Sequence, residues 1–137
     1  MSLVKLQNTT IMSSVLSHAR LKHLAAKIGV TEDIISRLAL GISIREGKIS
    51  DDWKPTKYAN EISLEVSGGK SLRGKTLFKN ELPLWMVLLS NVEGKLDSID
   101  YVRSKFILHW ERGIELISIA DDGSDWIHLI SNLSNSV

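Results

Sequence analysis

LKHLAAKIGVTEDIISRLALGISIREG, residues 21–47, is the stretch from which the fold is read. Leu21, Leu24, Ala25 and Ile28 fall at i, i+3, i+4 and i+7, one apolar face at 3.6 residues per turn. Arg20, His23 and Lys27 occupy a neighbouring face with no acid between them. Gly29 suits the left-handed residue that ends a helix, and Thr31 suits the cap of the next. Ile34, Ile35, Leu38, Ala39 and Ile42 then form a second apolar face. Two amphipathic helices, roughly Ser17–Ile28 and Thr31–Arg45, are expected around a tight corner. A short helix pair edged with positive charge is a device for meeting nucleic acid, and equally one for building a core or an oligomer interface.

Outward from this pair, 137 residues with 43% hydrophobic content supply one domain with its own core. Mean hydropathy is +0.01 and no apolar run approaches the roughly 18 residues of a membrane span. Met1 to Leu6 has a single Lys and no long apolar region, so it does not read as a secretory signal, and the expected location is the cytoplasm. The absence of Cys excludes disulfides, thiolate zinc sites, iron–sulfur clusters and cysteine nucleophiles. Charge is uneven. Residues 1–79 hold 13 Lys or Arg against 7 Asp or Glu, and residues 80–137 hold 4 against 9, so +6 faces −5 and the chain nets +1. Such polarity lets one surface attract polyanions, although solvated helix faces produce the same count.

Residues 1–15 read as a flexible arm or a short strand, and residues 16–137 as a single helical domain. Turn formers from Glu46 to Asn60 predict a loop, pinned by Trp53 and Tyr58. EISLEV (61–66) alternates like a strand, and Gly68 to Lys79 reads as a basic loop or hairpin. Leu82 to Val92 has the look of a buried helix with Pro83 in its first turn. Ile99 to Ile119 is the longest helix, carried by Val102, Phe106, Ile107, Trp110, Ile114 and Ile117, and Ser124 is placed to cap a last helix ending near Leu133. The expected fold is mainly α with one small β element.

GKSLRGKT, Gly69 to Thr76, satisfies the phosphate-loop pattern G-x-x-x-x-G-K-[ST] after a strand-like segment. The remaining context fails: Pro83 comes too soon for a long helix, and no later strand ends in a magnesium-binding Asp. Lys70, Arg73, Lys75 and Lys79 nevertheless carry +4 between Glu65 and Glu81, with three glycines that let backbone amides approach phosphate oxygens. A sugar–phosphate contact and a solvated hairpin tip both fit. His18 and His23 lie about 140° apart on a helix and cannot share a metal, while His109 and His128 stand alone as surface or half-buried residues. Asp121, Asp122 and Asp125 lack the later Glu of a calcium loop and read as turn and cap residues. Arg37 and Arg112 read as ion pairs at the core edge, the latter with Glu115 or Glu111. Gly113, inside the long helix, implies close approach of another backbone, such as one across a subunit interface. No nucleophile elbow or paired carboxylates stand out, so no catalytic residue, metal or cofactor is expected.

These segments together resemble the DndE family, small proteins of bacterial DNA sulfur modification. The family pattern runs from a Leu-rich basic helix through a Gly-hydrophobic-Thr corner to R-x-A-L-x-x-S-L-x-E, which stands here as Arg37 to Glu46, with Ile44 for Leu. GKTLF (74–78) before an apolar helix and HWERGIEL (109–116), similar to the family's H-x-x-R-G, extend the resemblance over roughly Leu16 to Ile119. It implies a ribbon-helix-helix-like beginning, a homo-oligomer (a tetramer), and binding to double-stranded DNA with preference for nicked duplex. The system replaces a non-bridging phosphate oxygen with sulfur, and a chain without cysteine does not carry that sulfur as a persulfide. The expectation is thus a non-enzymatic subunit that binds the DNA backbone through Arg20, Lys22, Lys27, Lys70, Arg73, Lys75 and Lys79 and presents it to the other sulfur-modification proteins. The helix pair would build the oligomer and offer only its Arg20–Lys27 edge. The alternatives are a transcriptional regulator of ribbon-helix-helix or helix-turn-helix type, a nucleotide-binding protein using Lys75 and Thr76, and a scaffold that binds only proteins.

Overall fold

The computed structural model describes residues 3–58, 61 and 65–135, with backbone only at 3, 134 and 135. Among these the chain forms seven helices and one two-stranded sheet, a mainly α architecture. Helix α1 (Leu3–Asn8) leads into strand β1 (Thr10–Met12), so the segment read as an arm or strand holds both kinds of element. Helices α2 (Val15–Ile28) and α3 (Glu32–Glu46) follow. Strand β2 (Ser71–Arg73), α4 (Gly74–Phe78), α5 (Leu82–Glu93), α6 (Ile99–Ala120) and α7 (Trp126–Asn135) complete the order.

The helix pair ends where its sequence implies, while α2 begins at Val15, two residues before the expected Ser17. Ser14 caps α2 by accepting the Ser17 amide at 3.1 Å, an interaction of about 1 kcal/mol. Gly29 closes the helix at φ 83, ψ 31, with its amide and that of Val30 both returning to the Ala25 carbonyl. Thr31 stands at the cap of α3, but its hydroxyl serves the Asp33 carboxylate and no backbone amide. The inward stripe of α3 is shifted from the predicted one. Ile35, Ser36, Ala39, Leu40, Ile42 and Ser43 are buried, whereas Ile34 and Leu38 remain 44% and 43% exposed.

Helix α6 is the centre of the core: Val102, Phe106, Trp110, Ile114 and Ile117 are wholly enclosed against Leu21, Leu24, Ile35, Ala39 and Leu40. Phe78 stacks at a tilt on Phe106, centroids 4.7 Å apart, which ties α4 to the same centre. Gly113 does mark a close backbone approach. The partner is the Ala39 carbonyl of α3 in the same chain, so the contact is internal and not a subunit interface.

Two expectations are corrected. Gly68–Lys79 is neither a loop nor a self-paired hairpin: β2 pairs antiparallel with distant β1, registering Thr10 with Arg73 and Met12 with Ser71, and α4 follows at once. The last helix is capped by Asp125, which accepts the His128 amide at 3.0 Å, while Ser124 bonds to Asp122. The strand expected over EISLEV lies largely outside the described residues.

Candidate nucleic-acid interface

The ribbon is built by close backbone approach. Ser13 and Lys70 exchange bonds across its end, Ser13 N–H to the Lys70 carbonyl and Lys70 N–H to Ser13 Oγ, both at 2.9 Å. At the other end the Gly74 amide donates to the Thr9 carbonyl at 2.8 Å. A Cβ on Gly69 would overlap the Ser13 carbonyl, and one on Gly74 would overlap that of Leu6. These glycines therefore let the amino-terminal segment dock. The phosphate-loop geometry is not formed: the amides of Lys70 and Gly74 are engaged, and residues 71–73 lie in a ladder.

Alternation along the ribbon buries Ile11 and Leu72 and turns Thr10, Met12, Ser71 and Arg73 outward. Lys75 and Lys79 are exposed at the start and end of α4, so Arg73, Lys75 and Lys79 share one corner. Among the described residues neither Arg73 nor Lys75 has an ion-pair partner; Lys79 lies close enough to Asp33 to help hold that carboxyl below its usual range, behind the Thr31 hydroxyl and the Asp33 amide. Arg103 joins them from α6, its Nε and Nη2 donating to the Thr10 carbonyl at 3.1 and 3.0 Å. No sequence signal marks Arg103, because it sits in the acidic half and meets Thr10 only through a pairing 93 residues distant.

Beside this corner an open cleft of about 600 Å³ separates α2 and α3 from β2 and α4. Lys22, Thr31, Glu32, Asp33, Lys70 and Thr76 line it. Lys22 is exposed and has no described ion-pair partner. Lys70 lies 3.3 Å from Glu32.

The structure does not bring Arg20 and Lys27 to this surface. Arg20 is 3% exposed, bonded to Glu61 at 2.5 Å, to Glu115 at 3.0 Å and to the Thr56 carbonyl, with Tyr58 stacked on it. Lys27 pairs with Asp121, which also faces His23 at 3.3 Å. Burial would raise the Asp121 carboxyl, but Lys27, the Gly123 amide and His23 together hold it below its ordinary value. Part of the charge asymmetry between the halves of the chain is thereby neutralised within the fold.

A second polar constellation lies in the core. Ser43 Oγ is 2.8 Å from His109 Nδ1, and His109 Nε2 is 2.7 Å from Glu93. His109 is thus wholly buried and partnered, correcting the expectation of a lone surface or half-buried residue. Burial holds the imidazole below its ordinary value despite Glu93, so the neutral ring donates through Nε2 and accepts the Ser43 hydroxyl. Arg112 differs from its expected pairing too: it donates to Ser43 Oγ and to the carbonyls of Ser43, Gly47 and Lys48. With Glu93 taking the Ile49 amide and Lys105 the Ile49 carbonyl, the cluster straps the 47–51 loop onto α6. Its Ser–His–Glu order serves this strap: Arg112 also occupies the serine oxygen.

No described helix is long and apolar enough to cross a membrane. The model of the family described as DNA sulphur modification protein DndE matches residues 11–123, from within β1 to the turn before α7. No curated protein and no solved structure matches the chain.

Proposed function

This chain belongs to the DndE family of DNA sulphur modification proteins, and we propose that it serves there as a non-enzymatic subunit that grips duplex DNA by its phosphate backbone. The observation that carries this reading is the β2–α4 corner, where Arg73, Lys75 and Lys79 project beside Arg103 and the Lys22–Lys70 cleft. Flexible cations on a rigid ribbon suit phosphate oxygens, which position a protein without specifying sequence. Lys22, Lys70, Arg73, Lys75 and Lys79 are the phosphate-binding residues assigned; Arg20 and Lys27 are left to their internal carboxylates.

Self-association is the second part of the reading. Ile34 and Leu38 of α3 and Leu84 and Val87 of α5 are all exposed, and the two helices meet where Trp85 packs against Gly41. These side chains support a homo-oligomer, taken as a tetramer, that presents nicked duplex to partner enzymes of the modification system. The regulator alternative is disfavoured because α3 turns apolar residues to solvent, with Ser36 buried and Arg37 held by Asp33 and the Thr76 and Leu77 carbonyls. A gel shift of nicked, intact and single-stranded DNA at two salt concentrations tests the reading. Retarded duplex, strongest when nicked and weakened by salt, supports it; a single footprinted operator with no binding to random duplex supports the regulator.

A further inference from the structure

The cleft holds a carboxylate whose surroundings are incomplete. Glu32 Oε1 is enclosed, yet among the described residues it accepts no hydrogen bond of sound geometry. Lys70 Nζ stands 3.3 Å away and His18 Nε2 3.6 Å away. The other ring nitrogen, His18 Nδ1, is 2.7 Å from the Gly68 carbonyl, which can only accept. Nδ1 therefore carries the proton, and the neutral ring turns a bare lone pair toward the carboxylate. Protonating the ring creates the donor that Glu32 lacks.

We infer that the cleft is a phosphodiester site gated by Glu32, whose carboxylate holds Lys70 as a phosphate oxygen would until a protonated His18 takes the carboxylate over. The inference rests on the duplex-binding reading and adds how that site is regulated. With His18 neutral, Glu32 is left to Lys70; with His18 protonated, the imidazolium takes the carboxylate and one cation, Lys70, is released to phosphate. The charged groups on this side of the cleft are Glu32 from α3, Lys70 ahead of β2 on the same carboxylate, and Lys22 one turn along α2 from His18. Only Glu32 is within ion-pair reach of the imidazole among the described residues.

The test is duplex affinity of the full chain at pH 6.0 and 8.0 and fixed ionic strength, for wild type, Glu32→Gln, His18→Asn and the control Asp33→Asn, with folding checked at both pH values. Wild type and Asp33→Asn should bind roughly three- to tenfold tighter at pH 6.0, the effect of about one partly screened charge. Glu32→Gln should bind tightly at both pH values, and His18→Asn weakly at both. If Glu32→Gln does not fold, Lys70→Gln carries the test, because removing the gated cation should abolish the pH dependence equally. Equal pH dependence in all folded variants overturns the gate and leaves backbone binding standing. A wild type that binds no duplex at either pH, even at low salt, overturns the duplex-binding reading and the gate with it.

Discussion

Gly113 of α6 lies directly against the carbonyl of Ala39 in α3: a Cβ at 113 would overlap that oxygen and come within 2.7 Å of the Ala39 Cα. α3 and α6 approach backbone to backbone here, and the Ala39 atoms met are main chain, which cannot swing aside.

Gly113→Ala should therefore lower stability by about 3 kcal/mol, despite the roughly 1 kcal/mol that alanine gains in helix propensity. Urea unfolding checks this. A stabilised Gly113→Ala would mean that α3 and α6 are not packed as described.

Acid should weaken the fold in two steps. Burial holds the His109 ring below its ordinary 6.5, so the unfolded chain takes up a proton that the native chain refuses. Stability then falls as pH drops below about 6.5 and levels once the native ring protonates. Burial would raise the Glu93 carboxyl, but the Ile49 amide, His109 and Lys105 outweigh it and hold it below 4.5. Its contribution is full above that value and is lost as pH falls through the lower native one. Urea midpoints from pH 8 to pH 2.5 should show both windows, and His109→Gln should erase the upper one only.

Arg20 and Lys22, two positions apart on α2, should separate folding from binding. Arg20→Gln strands Glu61 and Glu115 and should cost about 2–4 kcal/mol, less than a fully enclosed network because both acids remain partly open to water. Lys22→Gln should stay within about 0.5 kcal/mol of wild type in stability while weakening duplex binding. The reverse pattern would place the cationic edge of α2 outward.

Gly74→Ala should undock the ribbon by overlapping the Leu6 carbonyl, read as lower stability and faster proteolysis near the amino terminus. Magnesium–ATP titrated into wild type should give no binding heat. Saturable nucleotide binding would revive the phosphate-loop reading of Gly69–Thr76.

The long helices were legible because each repeats its apolar residues at 3.6-residue spacing, from Leu21 and Leu24 to Phe106, Trp110 and Ile117. The ribbon was not, since three residues such as Ser71–Arg73 carry no period and their partner lies some 60 residues away. Nor could local spacing show that Arg20 and Lys27 lie within reach of acids more than 90 residues later, at Glu115 and Asp121. His109 looked isolated and Arg112 was assigned a nearby Glu for the same reason: their partners Ser43 and Gly47 are brought in by the α3–α6 packing. Arg73, Lys75 and Lys79 could be placed from sequence as a cationic cluster because their exposure depends on a local corner.

The central claim is that the protein binds the phosphate backbone, and the salt dependence of duplex affinity tests it most directly. For wild type, the logarithm of the association constant should fall linearly with the logarithm of salt concentration. Neutralising Lys70, Arg73 and Lys75 together to Gln should lower affinity and flatten that slope by about 0.9 for each phosphate no longer neutralised. A triple variant that is folded yet keeps the wild-type affinity and slope would contradict the account.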